Sequence, residues 1–278
     1  MHMLDDESAL PAVLQGRRWR ELDIYEAPDW YDVDYAGYRG EEAFYRLILE
    51  RCVKDGRLVV ELGAGTGRLA LRFASAGFRV HAVEPAPAMR AHLLTKARAA
   101  GLSDAARFSV EDAVAATFAP PDPPALVMFP FNGLLHLRTM EELLASFAHV
   151  RAQLAPDGRF AIDCTGPYWD AMLFGPTAWG RADERVHHTS GALVHTCDRC
   201  AYDSATRQMR IDIRYLLDGH DEGVQIELRQ TMWTWQQVLG ALVRAGFVIE
   251  QQLGDVDLAP FDEGSPRLLV CAAIAPGR

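Results

Sequence analysis

Between residues 41 and 164 the hydrophobic pattern alternates between short apolar runs and longer amphipathic segments. Short continuous apolar runs are typical of strands buried on both faces, and apolar residues at helical spacing are typical of helices packed on a sheet. Such strand–helix alternation predicts right-handed crossovers and a parallel sheet. The predicted strands are 58–60, 79–83, 108–110, 125–129 and 159–164, and the predicted helices are 41–53, 67–76, 87–100 and 139–154.

The pattern changes to alternating apolar and polar positions between residues 165 and 232. Stretches with a period of two, separated by turn-forming residues, are typical of antiparallel strands. These stretches lie at 193–195, 209–217 and 224–228. We therefore predict an antiparallel insertion of about three strands in this part of the chain.

The two ends of the chain differ from each other. Residues 1–40 are polar and rich in aromatic side chains, and we expect them to be irregular. After the insertion, Thr234 and Gln237 have the spacing of a capping box, which predicts a further helix. Strands at 247–253 and 267–273 are predicted to close the chain.

Composition and charge exclude several classes of protein for this chain. The chain has 278 residues, of which 49% are hydrophobic and 24% charged, a balance typical of a globular protein. Its net charge of −10 argues against a broad nucleic-acid surface. No apolar run reaches the ~18 residues of a spanning helix, and residues 1–7 are acidic, unlike a secretory leader. We expect a cytoplasmic protein that binds neither nucleic acid nor membrane.

The five cysteines indicate reduced thiols, because their number is odd and no leader is visible. Cys197 and Cys200 could supply zinc ligands together with the nearby His187, His188 and His195. However, there is only one such cysteine pair, and it falls in a predicted strand, where residues three apart point to opposite faces. We therefore expect no metal site.

A glycine-rich loop follows the first predicted strand. Residues 61–68 read E-L-G-A-G-T-G-R, and glycines there allow a tight turn and a close approach of the backbone to a ligand. A dinucleotide fingerprint would need a small residue where Arg68 stands, and a P-loop would need a lysine. The loop therefore fits neither a pyrophosphate nor a triphosphate well.

Acidic residues stand at the ends of the next two strands. Glu84 follows Gly63 by 21 positions and can accept hydrogen bonds from ribose hydroxyls. A carboxylate at Glu111 or Asp112 could accept from an adenine amino group. Two acids without a phosphate-neutralising cation suit a nucleoside that carries no phosphates.

These three motifs resemble those of the class I S-adenosylmethionine-dependent methyltransferases, over roughly residues 41–164 and 234–275. The resemblance implies an α/β fold with a seven-stranded Rossmann-like sheet, whose last strand is antiparallel, and S-adenosylmethionine as cofactor. It also implies a division of the chain into an aromatic substrate-capping segment at 1–40, a cofactor-binding core at 41–164, an antiparallel β lid at 165–232 and the completion of the core at 233–278.

The resemblance also implies which residues hold the cofactor. The glycine loop would meet the methionine part and the sugar, the second strand end the ribose, the third the adenine, and the fourth the methyl donor. The implied residues are Glu61, Gly63, Ala64, Gly65, Glu84, Pro85, Met89, Asp112, Ala113, Phe129 and Phe131.

The segment after the fourth strand bears on the acceptor. It lacks the Asp/Asn-Pro-Pro-aromatic motif of enzymes that methylate base amino groups, and it resembles instead the sugar N-methyltransferase type. In that type a histidine at the position of His136 faces the acceptor and could take its proton. Alternatively, His136 is a structural residue bonded to backbone. Asn132 could orient a ligand or cap a turn.

We interpret the chain as an enzyme that transfers a methyl group to nitrogen or oxygen of a small-molecule acceptor. Methylation of RNA or protein, a cofactor-binding module without turnover, and a nicotinamide oxidoreductase remain alternatives, the last disfavoured by Arg68. A homo-oligomer is left open. Residues expected at the acceptor, where ordinary packing is the other interpretation, are Tyr31, Tyr35, Asn132, Tyr168, Trp169 and Trp233.

Overall fold

A computed structural model describes residues 9–54, 56–166, 169–187 and 190–276. These residues form two compact units: a smaller unit of residues 9–38 and 169–232, and a larger unit of residues 39–166 and 233–276. In chain order the strands and helices are β1 (Arg18–Asp23), α1 (Pro28–Tyr35), α2 (Glu42–Cys52), β2 (Leu58–Leu62), α3 (Ala70–Ser75), β3 (Arg79–Val83), α4 (Pro87–Ala99), β4 (Phe108–Glu111), β5 (Leu126–Phe129), α5 (Met140–Gln153), β6 (Arg159–Thr165), α6 (Trp169–Phe174), β7 (Asp183–Val186), β8 (Leu193–Asp203), β9 (Gln208–Leu217), β10 (Glu222–Thr231), α7 (Trp235–Arg244), β11 (Phe247–Leu253) and β12 (Arg267–Ile274).

The larger unit contains a seven-stranded sheet in the order β11-β12-β6-β5-β2-β3-β4. The five strands from β6 to β4 are parallel, whereas β12 is antiparallel to both of its neighbours. The central strands β2 and β5 are buried at every position, which explains why their sequences are apolar apart from Glu61 in β2. The predicted seven-stranded sheet with an antiparallel last strand is confirmed.

The helix boundaries of this unit follow local signals. Thr139 and Thr234 each cap a helix in a complete capping box, with Glu142 and Gln237 as partners, as the spacing of these residues predicts. Helix α3 begins at Ala70, whereas the predicted helix began at 67. Gly67, the first residue of the predicted helix, has a φ angle of +85°, which an α-helix does not contain.

The smaller unit contains a five-stranded sheet in the order β1-β10-β9-β8-β7. Strands β7 to β10 form an antiparallel meander, and β1 pairs with β10 in parallel. The insertion therefore has four strands where about three were predicted, because β7 is mainly charged and carries no apolar alternation. The expectation that residues 1–40 are irregular was wrong, since β1 and α1 lie there, and β1 is mainly polar.

The described residues also bear on the predictions about membrane and metal binding. None of their helices combines the length and apolar character needed to span a membrane. Within the same residues, no three His, Cys, Asp or Glu side chains are grouped so that they could hold a metal ion. Cys197 is buried and Cys200 half-buried on β8, and both are free thiols. His188, one of the histidines considered above, lies outside the described residues.

Candidate active site

The glycine loop that follows β2 has a backbone that favours glycine. Gly63, Gly65 and Gly67 have φ angles of +65°, +57° and +85°, in the left-handed region that L-residues rarely adopt. A Cβ on Gly67 would also lie 3.0 Å from the Cγ atoms of Leu71 and Leu93. Ala64 donates its N–H to the carbonyl of Val83 at 3.0 Å, so the loop is tied to the end of β3.

Glu84 closes this loop from the end of β3. Its Oε2 accepts the N–H of Gly65 at 2.7 Å, and its Oε1 accepts the N–H of Ala86 at 2.8 Å. Burial raises the pKa of the Glu84 carboxyl, and the two N–H donors lower it in part. Each carboxylate oxygen has a second lone pair. The side chain can therefore hold the N–H of Gly65 in the loop and still accept hydrogen bonds from the hydroxyl groups of a ligand.

Arg90, which the sequence analysis did not single out, joins the ends of β3 and β4. Its Nη1 donates to the carbonyls of Glu84 and Pro85 at 2.8 and 2.7 Å, and its Nη2 donates to Asp112 Oδ2 at 2.7 Å. The Asp112 side chain remains 69% exposed. Arg90 is thus a cation near the predicted nucleoside site, engaged in holding two strand ends together.

A cluster of buried charged groups lies beside the loop. Glu61, on β2, is 3% exposed, and its Oε2 has no hydrogen-bond partner. Burial raises the pKa of the Glu61 carboxyl to about 8; the positive charge of Arg68 opposes the shift, and the nearby Glu41 adds to it. Glu41 itself is fully buried and accepts a hydrogen bond from Arg68. The carboxyl groups of Glu41 and Glu61 thus interact with the same guanidinium, that of Arg68.

Arg68, the residue that departs from the dinucleotide fingerprint, makes two contacts that explain its presence in the loop. Besides its ion pair with Glu41, its guanidinium lies over the ring of Phe131, 4.7 Å from the ring centre. The side chain thus connects the glycine loop to the segment after β5.

The chain turns sharply after β5. Phe131 and Asn132 both have positive φ angles, of 52° and 65°. The N–H of Phe131 donates to Asp163 Oδ1 at 2.9 Å, and Asn132 Oδ1 accepts the N–H and the hydroxyl of Thr165 at 2.7 and 3.2 Å. The Asn132 side chain therefore ties the turn to β6 and makes no capping hydrogen bond to the 3-10 helix that follows. Whether Asn132 also contacts a ligand stays a prediction.

His136 ends the short 3-10 helix Gly133–His136 that follows this turn. The residue is exposed at the surface of the chain, although protein atoms around its ring displace part of the water there. This desolvation, with a smaller contribution from the positive charge of Arg138, lowers the pKa of the imidazole to about 4. The imidazole is therefore neutral near pH 7.

The other predicted cofactor residues lie at the ends of neighbouring strands in the larger unit. Pro85 is exposed beside Glu84, Met89 is fully buried on α4, and Ala113 is half-buried after β4. A Cβ on Gly63 would lie 3.8 Å from the ring of Phe129, so the glycine loop and the end of β5 are adjacent.

The residues predicted to contact the acceptor are distributed over both units. Tyr31 and Tyr35 lie on α1 of the smaller unit, with ring centres 4.8 Å apart, and both are half-buried. Trp233, in the larger unit, is only 2% exposed and offers little surface to a ligand. Trp169 is the first residue of α6, and Tyr168 lies outside the described residues. These assignments stay predictions.

The sheet order and the glycine loop together define a doubly wound α/β domain with a nucleoside-type site at its strand ends. Residues 59–158, from β2 to the turn before β6, match a family model described as a methyltransferase domain. The chain therefore carries a methyltransferase domain, and the enzyme class predicted from the sequence is confirmed. No curated protein sequence matches the chain.

Solved structures with the same fold cover almost the whole chain. The CcbJ methyltransferase from Streptomyces caelestis has a TM-score of 0.75 and 21% identity, covering 91% of this chain and 99% of that chain. The sugar N-methyltransferase KedS8 from a Streptoalloteichus species has a TM-score of 0.67 and 19% identity, with coverages of 89% and 92%. CalS10 from Micromonospora echinaspora is an amino pentose methyltransferase whose structure was solved with S-adenosylmethionine bound. It has a TM-score of 0.64 and 22% identity, covering 91% of this chain and 98% of that chain. The resemblance to the class I methyltransferase fold is thereby confirmed.

Proposed function

We propose that this enzyme transfers a methyl group from S-adenosylmethionine to nitrogen or oxygen of a small-molecule acceptor, and that nitrogen is the preferred atom. The proposal rests on the arrangement at the strand ends of the larger unit, where Glu84 closes the glycine loop and the buried Glu61 Oε2 lacks a hydrogen-bond partner. S-adenosylmethionine supplies a methyl group that is already activated on a sulfonium.

The described residues fit this cofactor. Glu84 would accept hydrogen bonds from the two ribose hydroxyls through its remaining lone pairs. Glu61 Oε2 would accept a hydrogen bond from the ammonium of the methionine part and so satisfy a buried oxygen. The loop from Gly63 to Gly65 would lie along the methionine part and the sugar, and Asp112 and Ala113 would meet the adenine.

The preference for nitrogen follows from His136. An imidazole whose pKa is lowered to about 4 is too weak a base to remove the proton of a hydroxyl group efficiently. A neutral imidazole can, however, accept a hydrogen bond from the N–H of an amine and orient its lone pair. Because the methyl group is already activated, holding the nucleophile in line and excluding water account for most of the catalysis.

The names of similar structures agree with this preference, since they include a sugar N-methyltransferase and an amino pentose methyltransferase. The net charge of −10 disfavours an RNA acceptor. A small amine, with amino sugars as the first class to test, is therefore the acceptor we propose. A lid role for the smaller unit, contacts of Tyr31 and Tyr35 with the acceptor and a cytoplasmic location stay predictions.

Calorimetry tests the cofactor assignment without an acceptor. S-adenosylmethionine and S-adenosylhomocysteine are expected to bind with dissociation constants of about micromolar order, whereas NAD is expected not to bind. Tight binding of NAD without binding of S-adenosylmethionine would contradict the proposed function.

The buried Glu61 predicts a pH dependence of stability. Its pKa is about 8 in the folded chain, above the ordinary value of an unfolded chain, so the folded state keeps a proton that the unfolded state loses. Stability from this group is therefore present at low pH and lost as the pH rises through 8. Between pH 6 and 9 the wild type should lose about 2–3 kcal/mol more unfolding free energy than Glu61→Gln, which carries no titratable group there.

Urea unfolding at pH 6, 7.5 and 9 measures this difference. Glu111→Gln serves as the matched control, because Glu111 also ends a strand of the sheet but is only half-buried. The control should lose stability with pH as the wild type does. Equal pH slopes for wild type and Glu61→Gln would show that Glu61 is ionised in the folded chain at neutral pH.

A further inference from the structure

The turn at Phe131 and Asn132 is a strained element next to the proposed site. Two consecutive residues other than glycine adopt positive φ angles there, and such conformations persist only where the surrounding structure holds them. The turn leads directly from Phe129, at the end of β5, into the 3-10 helix that ends at His136. Its geometry therefore determines where these two candidate site residues lie.

Asp163 on β6 holds this turn through a buried hydrogen-bond network. The side chain is fully buried, and its Oδ1 accepts both the N–H of Phe131 at 2.9 Å and the hydroxyl of Tyr45 at 2.7 Å. Its Oδ2 has no hydrogen-bond partner, and the nearest cation recorded for it, Arg267 Nη1, lies 3.8 Å away. A carboxylate within the buried stretch 160–164 of β6 is costly to bury, so its presence calls for a role that an apolar residue could not fill.

Two more contacts converge on the same turn. The backbone N–H of Asn132 donates to the carbonyl of Asp163 at 3.3 Å, and the Asn132 side chain is held by Thr165, two residues further along β6. On the other side, Arg68 covers the ring of Phe131. The end of β6 thus holds the backbone of the turn, and the glycine loop holds its ring.

We propose that Asp163, itself fixed by Tyr45, is a positioning residue for methyl transfer. By holding the N–H of Phe131 it keeps the strained turn in place, and thereby sets Phe129, Phe131 and His136 against the cofactor and the acceptor. This inference rests on the proposed function. It assigns Asp163 no contact with the reacting atoms, and it predicts that loss of the side chain affects the chemical step more than cofactor binding.

The test compares Asp163→Ala, Asp163→Asn and Tyr45→Phe with Cys164→Ala as a matched control. Cys164 is the next residue of β6 and is also buried, and neighbouring residues of a strand point to opposite faces of the sheet, so its side chain lies on the other face from that of Asp163. Three quantities are measured: amide hydrogen exchange of residues 131–136, the dissociation constant of S-adenosylmethionine by calorimetry, and kcat with a small amine that the wild type methylates.

For Asp163→Ala we expect exchange in residues 131–136 to accelerate and kcat to fall, each by about tenfold or more, with cofactor affinity within about threefold of wild type. Asp163→Asn should restore much of the protection, because an amide oxygen can still accept the N–H of Phe131. Tyr45→Phe should have an exchange rate and a kcat between those of the wild type and Asp163→Ala. This variant replaces Asp163→Ala in the comparison if Asp163→Ala does not fold. Cys164→Ala should lower only the melting temperature.

The inference is overturned if Asp163→Ala, or Tyr45→Phe where the former does not fold, matches Cys164→Ala in both exchange and kcat. It is also overturned if kcat and cofactor affinity fall in parallel, as a general loss of structure would produce. A wild-type chain that does not bind S-adenosylmethionine would refute the proposed function instead, whereas the exchange data would still report on how Asp163 holds the turn.

Discussion

Glu84→Ala is expected to weaken the binding of S-adenosylmethionine by about 10- to 100-fold, the loss expected when one or two buried hydrogen-bonding groups lose their partner. The carboxylate holds the N–H groups of Gly65 and Ala86 at 2.7 and 2.8 Å, and it is the proposed acceptor for the ribose hydroxyls. Alanine therefore removes the ligand contact and leaves two N–H donors of the loop without a partner.

Calorimetry with S-adenosylhomocysteine as well as S-adenosylmethionine measures this effect, since both carry the ribose and should lose affinity together. Glu111→Ala is the matched control: Glu111 ends the neighbouring strand, its carboxylate is engaged by the N–H of Ala119 and by His81, and of the two acids at this strand end Asp112 is the one proposed to meet the adenine. An unchanged affinity in Glu84→Ala would mean that the ribose binds elsewhere.

His136→Ala is expected to lower kcat by about 100-fold with little change in the affinity for S-adenosylmethionine, because alanine removes the hydrogen-bond acceptor that is proposed to hold the amine in line. His136→Gln, whose side chain can still accept a hydrogen bond, should retain more activity than the alanine variant. Because the pKa of the imidazole is lowered to about 4, its protonation should reduce kcat only below about pH 5.

His149→Gln is the control for this experiment. His149 also belongs to the larger unit, but its Nε2 is bonded to the carbonyl of Phe118 at 2.7 Å, so its loss should affect stability and leave kcat unchanged. Full activity in His136→Ala would make His136 a structural residue, the alternative that its sequence position leaves open.

Much of the larger unit's fold could be predicted because its signals are local or periodic. The buried central strands β2 and β5 are apolar apart from Glu61 in β2, and Thr234 marks the start of its helix through a residue three positions away. The polar strands β1 and β7 could not be predicted, because their pairing with β10 and β8 comes from the sheet of the smaller unit and leaves no apolar alternation in their own sequences.

The candidate site divides in the same way. The glycine loop, Glu84 and Asp112 have fixed places relative to predicted strands and could be assigned from the sequence. Asp163 could not, because its partner Tyr45 lies 118 positions away. A charged residue within the apolar run of β6 was the one signal that could have drawn attention to it.

Arg68 shows the limit of a motif argument from sequence. Its side chain excludes a dinucleotide fingerprint, which was a correct use of the pattern. Its own role depends on Glu41, 27 residues earlier, and on Phe131 in the segment after β5. Neither contact follows from spacing along the chain, because each joins different elements of the fold.

The most direct test of the account is an acceptor screen read by mass spectrometry. The wild-type chain is incubated with S-adenosylmethionine and a panel of small amines, including amino sugars, each paired with the analogue that carries a hydroxyl in place of the amine. The account predicts one added methyl group on an amine, with formation of S-adenosylhomocysteine and no product from the matched hydroxyl compound. Methylation of the hydroxyl analogues alone, or labelling only of RNA or protein added to the same reaction, would contradict it.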